Sequence, residues 1–300
     1  MVNYYKKYIK YKSKYIKTKE QIDKIGGSFN INDIIGVLNA EETPKVGFYG
    51  WILVGLNSEG KKFLIKMQPL VEELPRKNKR ISSPTINGKR IAYRLDKIEN
   101  FNKENNTLSD IYQKSKSLDD ISCEKYHEIG TSICPEVYGL SILNKEDSFN
   151  FLNKLVHTND YAELYKEIVK TWIENNKDWY LGFSIMEYLE NFETVKSLME
   201  DQSISNELKK DLYEGSLCLL SDLHKIGYIH LDFHLENILY NRELKLLKMI
   251  DFGESIEGED ENKICKEIKL DWIESYEFLS SDVIEIVKNM ISKYKECGKV

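Results

Sequence analysis

The stretch HLDFHLENILY (residues 230–240), followed by KMIDFGE (residues 248–254), decides the reading of this chain. It places His230, Asp232, His234 and Asn237 within eight residues, then Asp251-Phe252-Gly253 after a short apolar strand. Buried carboxylates and amides cost free energy unless something uses them. A polar turn joining a helix to a hairpin would explain neither the Asp-Phe-Gly triplet nor its position. Upstream, Leu208, Leu212, Leu219, Leu220 and Leu223 share one face of a predicted helix that starts near Ser205 and ends at Gly227.

At 300 residues the chain is long enough for a large core or for two lobes sharing a cleft. Hydrophobic content of 41% and charged content of 31% are ordinary for a globular protein. No apolar run approaches the length of a membrane span, and the start is rich in Tyr and Lys rather than apolar. The five cysteines are scattered and form no CxxC pair, which reads as free thiols in a reducing, cytoplasmic compartment and argues against structural zinc. Residues 1–19 carry seven Lys and no acid; subtracting those from the net −6 leaves −13 on the rest. A body that acidic is a poor general partner for nucleic acid.

Residues 1–27 read as a basic helix ending at Gly26-Gly27. Tyr4, Tyr8, Tyr11, Tyr15 and Ile22 fall on a seven-residue repeat with Lys on the other faces. This leader is expected to meet an anionic surface or a partner, or to pack on its own domain. Trp51 to Val54 and Phe63 to Ile65 are β-rich runs separated by the turn Asn57-Ser58-Glu59-Gly60. Residues 68–108 are polar, hold Pro69, Pro75 and Pro84, and read as a long insertion with a hairpin near Asn87-Gly88. A helix is expected over 109–131, a strand from Val137 to Leu143, a mostly helical insertion over 144–181, and a strand from Phe183 to Tyr188. Near the C-terminus, Val283, Ile286, Val287, Met290 and Ile291 repeat at helical spacing.

HLDFHLEN is similar to the H-x-D-x-x-x-x-N catalytic loop of the protein-kinase-like superfamily, and Asp251-Phe252-Gly253 resembles its D-F-G motif. The resemblance covers residues 34–256 or so. It implies an α+β, bilobal fold: an antiparallel N-lobe sheet with one helix over residues 28–189, interrupted by the two insertions, and a short, mainly helical C-lobe over 190–300. It implies an ATP- and magnesium-dependent phosphotransferase acting on a hydroxyl acceptor. Asp232 would accept the acceptor's proton, Asn237 and Asp251 would hold magnesium, and His230 would brace the loop. Gly47 and Gly50, with Ile52 on the following strand, resemble a glycine-rich phosphate loop. Lys66 in FLIKM stands where the family's phosphate-contacting lysine stands. Its acidic partner is expected at Glu124, with Glu128 and Asp120 behind it. In SIMEYL (residues 184–189), Met186 would be the gatekeeper, and the backbones of Glu187 and Leu189 would hold adenine.

Several positions depart from the family pattern. Leu231 replaces the Arg that often precedes the catalytic Asp, which removes a charge partner for a phosphorylated activation loop. His234 stands where protein kinases usually have Lys, so its help in neutralising the transferred phosphate would be weaker or pH-dependent. Leu64 replaces the small Ala over adenine. Only 47 residues follow Gly253, with no A-P-E motif. That points to a compact branch near the atypical and small-molecule kinases; His234 resembles the aminoglycoside and choline kinases at this position, and the altered glycine loop and Leu64 would suit a pseudokinase binding module. The acidic body favours basic protein segments as acceptors, and hence Ser/Thr-kinase-like activity. The Tyr/Lys leader resembles leaders of giant-virus proteins.

Overall fold

The computed structural model describes residues 34–38, 46–47, 50–57, 59–74, 81–86, 89–93, 95–122, 124–154, 156–157, 170, 174 and 179–258. The expected leader helix, most of the helix expected over 161–174 and the C-terminal helix lie outside these residues. Two compact units divide the chain: residues 1–105 with 137–188, and residues 106–136 with 189–300.

The first unit is built on a mainly antiparallel sheet. Its strands are β1 (Ile34–Leu38), β2 (Val46–Gly47), β3 (Gly50–Asn57), β4 (Lys62–Val71), β7 (Asp96–Lys97), β8 (Val137–Leu143), β9 (Val156–His157) and β10 (Trp179–Glu187). The order is β8-β10-β4-β3-β1-β9, with β2 on β3 and β7 on β4. The β3–β4 turn forms as expected. Asn57 Oδ1 accepts from the backbone N–H groups of Glu59 and Lys61, at 3.1 and 2.9 Å, and Gly60 takes the left-handed φ of 78° that a side chain would resist. A separate hairpin, β5 (Ile81–Ile86) with β6 (Lys89–Tyr93), flanks Asn87-Gly88, also as expected.

Two elements differ from the expectation. β4 runs on through Pro69 to Val71, into the stretch read as an insertion loop. A proline in a central strand would break the ladder. Here the pairing to β3 ends at Met67 and the pairing to β7 begins at Leu70, so Pro69 falls in the gap between them. The helix expected over 109–131 instead occupies Ile98–Lys116 (α1). Its apolar stripe is sparse and its surface rich in Asn and Lys, which disguised its first turns as loop. Phe101, Leu108 and Ile111 are buried along it. α1 packs closely on the sheet: a Cβ on Gly182 would stand 2.5 Å from Leu70 Cδ1 and 3.1 Å from the Phe101 ring. After β8 comes a short helix, α2 (Lys145–Lys154).

The second unit is mainly helical. α3 (Val195–Glu200) is capped by Thr194, and α4 (Asn206–Lys225) by Ser205, whose hydroxyl accepts from Leu208 N. α4 ends as the sequence predicts, with Gly227 at φ 86° and its N–H donating to His224 O. Residues 212 and 214–224 of α4 are buried, which is the core of this unit. Around it lie β11 (Phe192–Thr194), β13 (Ile238–Asn241) and β14 (Leu246–Met249) in one sheet, and the pair β12 (Tyr228–Ile229) with β15 (Ile256–Glu257). Lys248, buried on β14, donates to Ser132 O at 2.6 Å and so ties the segment after α1 to this sheet. Cys134 is a buried, reduced thiol that donates to Leu108 O, whereas Cys218 is in a disulfide, which corrects the expectation that all five cysteines are reduced. Among the described residues no helix is long and apolar enough to cross a membrane.

Candidate active site

In the first unit the site is built around β4. Burial alternates along Lys62–Met67, with Phe63, Ile65 and Met67 buried and Lys66 half-buried on the other face. That face carries α1. Lys66 Nζ lies 2.5 Å from Glu104 Oε1, with both side chains largely shielded from water. Glu104 therefore takes the role expected of Glu124. Glu124 and Glu128 are exposed beyond the end of α1, as is Asp120, which pairs with Lys225. Beside the ion pair, Ser184 Oγ donates to Asn105 Oδ1, and Asn105 Nδ2 donates to Phe101 O at 2.8 Å. Ser184 stands opposite Lys66 in the β10–β4 ladder, and Ile52 stands opposite Lys66 on β3.

Gly47 faces Gly50 across the β2–β3 pair. Phe48 and Tyr49, between them, lie outside the described residues, as does Lys45. At the other end of β10, Met186 is buried opposite the half-buried Leu64. Glu187, Tyr188 and Leu189 are half-buried, and Lys62 Nζ lies 5.6 Å from the centre of the Tyr188 ring.

In the second unit the β13–β14 hairpin does the positioning. Its register sets Ile238 opposite Met249, and one step further Ile250 N donates to Asn237 O at 2.9 Å. This places the end of the HLDFHLEN loop beside the start of the Asp-Phe-Gly segment. Within the loop, Asn237 Nδ2 lies 3.0 Å from Asp232 O, 3.4 Å from Asp232 Oδ2 and 3.2 Å from His234 Nε2. His234 Nε2 is 3.6 Å from Asp232 Oδ2. Asn237 is buried, while the Asp232 carboxylate is half exposed and so open to an incoming acceptor.

His230 is fully buried. Its Nε2 lies 3.1 Å from Ile250 O, and its ring centre lies 4.8 Å from that of the buried Phe252, the two planes tilted by 44°. His230 O accepts from Ser255 Oγ at 3.2 Å, a brace with no sequence signal of its own. Leu231 and Asp251 both have φ above 60°, the left-handed region that side chains resist. Two such residues, one in each loop, turn Asp232 and Asp251 out of the core. Next to the loop, the ammonium of Lys196 bonds Glu236 and holds its carboxyl below the usual carboxylate range.

Two carboxylates and an amide gathered in one loop pair are hard oxygen donors, the chemistry that suits a magnesium ion. Asn237 fits this role because its Nδ2 is turned towards Asp232, which leaves Oδ1 to meet a cation. Among the described residues no group of three or more His, Cys, Asp or Glu forms a metal cluster.

Known proteins are similar to this chain in sequence. The chain is 26% identical over 116 residues to "Probable serine/threonine-protein kinase fnkB" of Dictyostelium discoideum, covering 37% of this chain and 20% of that protein. It is 36% identical over 109 residues to a second protein of that organism, also described as a serine/threonine-protein kinase, covering 34% of this chain and 16% of that protein. The chain thus spans only about a fifth or less of the length of these relatives. The sequence pattern of the family described as "Protein kinase domain" matches residues 145–295, from α2 through both loops and beyond. With that match over half of its length, the chain belongs to the protein kinase domain family.

Proposed function

We propose that this chain transfers the γ-phosphoryl group of ATP to a hydroxyl acceptor, preferably a Ser or Thr of a basic protein segment. Lys66, held by Glu104, meets the α and β phosphates, and the backbone at Gly47 and Gly50 approaches them without a Cβ in the way. The backbones of Glu187 and Leu189 hold the adenine beside Met186. Asp232 orients the acceptor hydroxyl and takes its proton. Asn237 and Asp251 hold magnesium, whose charge offsets that of the phosphates. His234 lies close enough to Asp232 and Asn237 to steady the pair.

The observation that carries this reading is the hydrogen bond from Ile250 N to Asn237 O, which brings the loop holding Asp232 alongside the one holding Asp251. The acidity of the body supports a basic acceptor, since complementary charge raises the local concentration of substrate. The test is γ-labelled ATP with magnesium and three acceptors: a basic protein, an aminoglycoside and a choline-like alcohol. Label on Ser or Thr of the basic protein is the expected result. Label on the small alcohols alone would overturn the acceptor assignment, and no turnover with any acceptor would overturn the transfer itself.

A further inference from the structure

Asp110, Lys114, Tyr228 and Glu257 take no part in the chemistry proposed above, yet they form one cluster drawn from three elements. Tyr228 Oη donates to Asp110 Oδ2 at 2.5 Å. Lys114 Nζ lies 2.7 Å from the same carboxylate oxygen, 3.2 Å from Glu257 Oε1 and 4.9 Å from the centre of the Tyr228 ring. Asp110 and Lys114 are one turn apart on α1. Tyr228 and Glu257 stand directly opposite each other in the β12–β15 ladder.

That ladder frames both loops. His230 follows β12 immediately, and Ser255, whose hydroxyl donates to His230 O, immediately precedes β15. A ladder of two residues per strand has little stability of its own. It gains one further closing bond, from Gly258 N to Gly227 O at 3.0 Å. α4 leads directly into β12, and the cluster fastens the ladder to a second long element, α1, the helix that also carries Glu104.

The contacts are unequal. The Lys114–Glu257 pair is exposed and worth little by itself. Tyr228 is 4% exposed, and a phenol donating to a carboxylate makes a bond roughly twice as strong as a neutral one. Partial burial pushes the Asp110 carboxyl up, but hydrogen bonds from Lys114 and Tyr228 outweigh it and hold the group below its ordinary value. Asp110 is therefore an anion at neutral pH, as the bond requires.

We propose that the Tyr228–Asp110 hydrogen bond is a positioning contact, which holds the β12–β15 ladder, and with it the Asp232 and Asp251 loops, in the geometry that phosphoryl transfer needs. The rate effect rests on the transfer reading; the ordering of the loops does not. Tyr228→Phe removes one hydroxyl and keeps the ring. It is expected to lower kcat about tenfold, with KM for ATP changed less than twofold. Amide hydrogen exchange of the same variant is expected to speed about tenfold in residues 229–237 and 251–257, and not along α4. Asp110→Asn keeps an acceptor oxygen and is expected to fall between the wild type and Tyr228→Phe in both readouts. An unchanged kcat in a variant whose only change is a lower Tm would overturn the proposal, as would exchange in the two loops that matches the wild type. If wild type transfers no phosphate, the function proposed above has failed, and the exchange measurement still decides the positioning contact.

Discussion

Lys66 Nζ sits 2.5 Å from Glu104 Oε1, and both side chains are mostly shielded from water. A charge-assisted bond in such surroundings contributes about 1.5–3 kcal/mol, far more than an exposed pair. Glu104→Gln should therefore slow phosphoryl transfer about 10- to 100-fold, while Glu124→Gln should leave it within twofold. Initial rates of the two variants decide between the carboxylate that the fold supplies and the one the sequence suggested. Equal losses would contradict the assignment to Glu104.

Why Glu104 escaped the sequence reading is plain from its neighbours. ENFNKENNTLSD (residues 99–110) has four Asn and few apolar residues, so helical periodicity hardly shows. Phe101, Leu108 and Ile111 are buried, but three apolar positions among so many polar ones leave no readable period. The HLDFHLEN and Asp-Phe-Gly loops were legible because their pattern is local: fixed residue types at fixed spacing, between a capped helix and a hairpin. Contacts between distant segments had no such signature. Tyr228 and Asp110 lie 118 residues apart, and Ser255 meets His230 beside a ladder that joins residues nearly 30 apart in sequence. Pro69 misled for the opposite reason, being a local breaker overridden by a gap in the pairing.

Gly215 allows α4 to lie against its surroundings. A Cβ there would clash with Leu247 Cδ1 and stand 2.8 Å from Cγ of the buried Tyr126 ring. Alanine in a helix gains roughly 0.5–1 kcal/mol over glycine, but overpacking a filled core costs about 1–3 kcal/mol. The second effect should win, because an aromatic ring cannot yield as a methyl end can. Gly215→Ala is expected to lower the urea midpoint without changing the slope of the transition. A raised midpoint would contradict this account of the packing.

His127 and Asp222 form a buried pair, with Nδ1 2.9 Å from Asp222 Oδ2 and Nε2 2.9 Å from Thr131 O. Asp222 Oδ1 also accepts from Ser122 N at 2.7 Å, so this one carboxylate pins the segment after α1 to α4. Removing the ring leaves Asp222 its bond from Ser122 N but strips Oδ2 of its partner, and a buried polar group left unpaired costs about 1–3 kcal/mol. His127→Ala should show a loss of that order in equilibrium unfolding. A loss below about 1 kcal/mol would mean that water replaces the ring without penalty.

Tyr126 carries a pH signature. Burial pushes its phenol from the ordinary value near 10 up to about 12. The folded state thus keeps a proton that the unfolded state releases first. Its contribution to stability is complete below pH 10 and is lost as pH rises from 10 to 12. The gap in Tm between wild type and Tyr126→Phe should therefore shift against the wild type above pH 10 and stay flat below it. A gap that does not vary from pH 8 to pH 11.5 would show that the phenol is not shielded.

The most direct test of the account is single-turnover transfer of labelled γ-phosphate to a basic protein by wild type and Asp232→Asn, with nucleotide affinity measured in parallel. The half-exposed Asp232 carboxylate, tied through Asn237 to the Asp251 loop, is assigned as the group that takes the acceptor's proton. The substitution should cut the rate about 10²- to 10⁴-fold and leave ATP affinity within about twofold. A rate unchanged by Asp232→Asn would contradict the account.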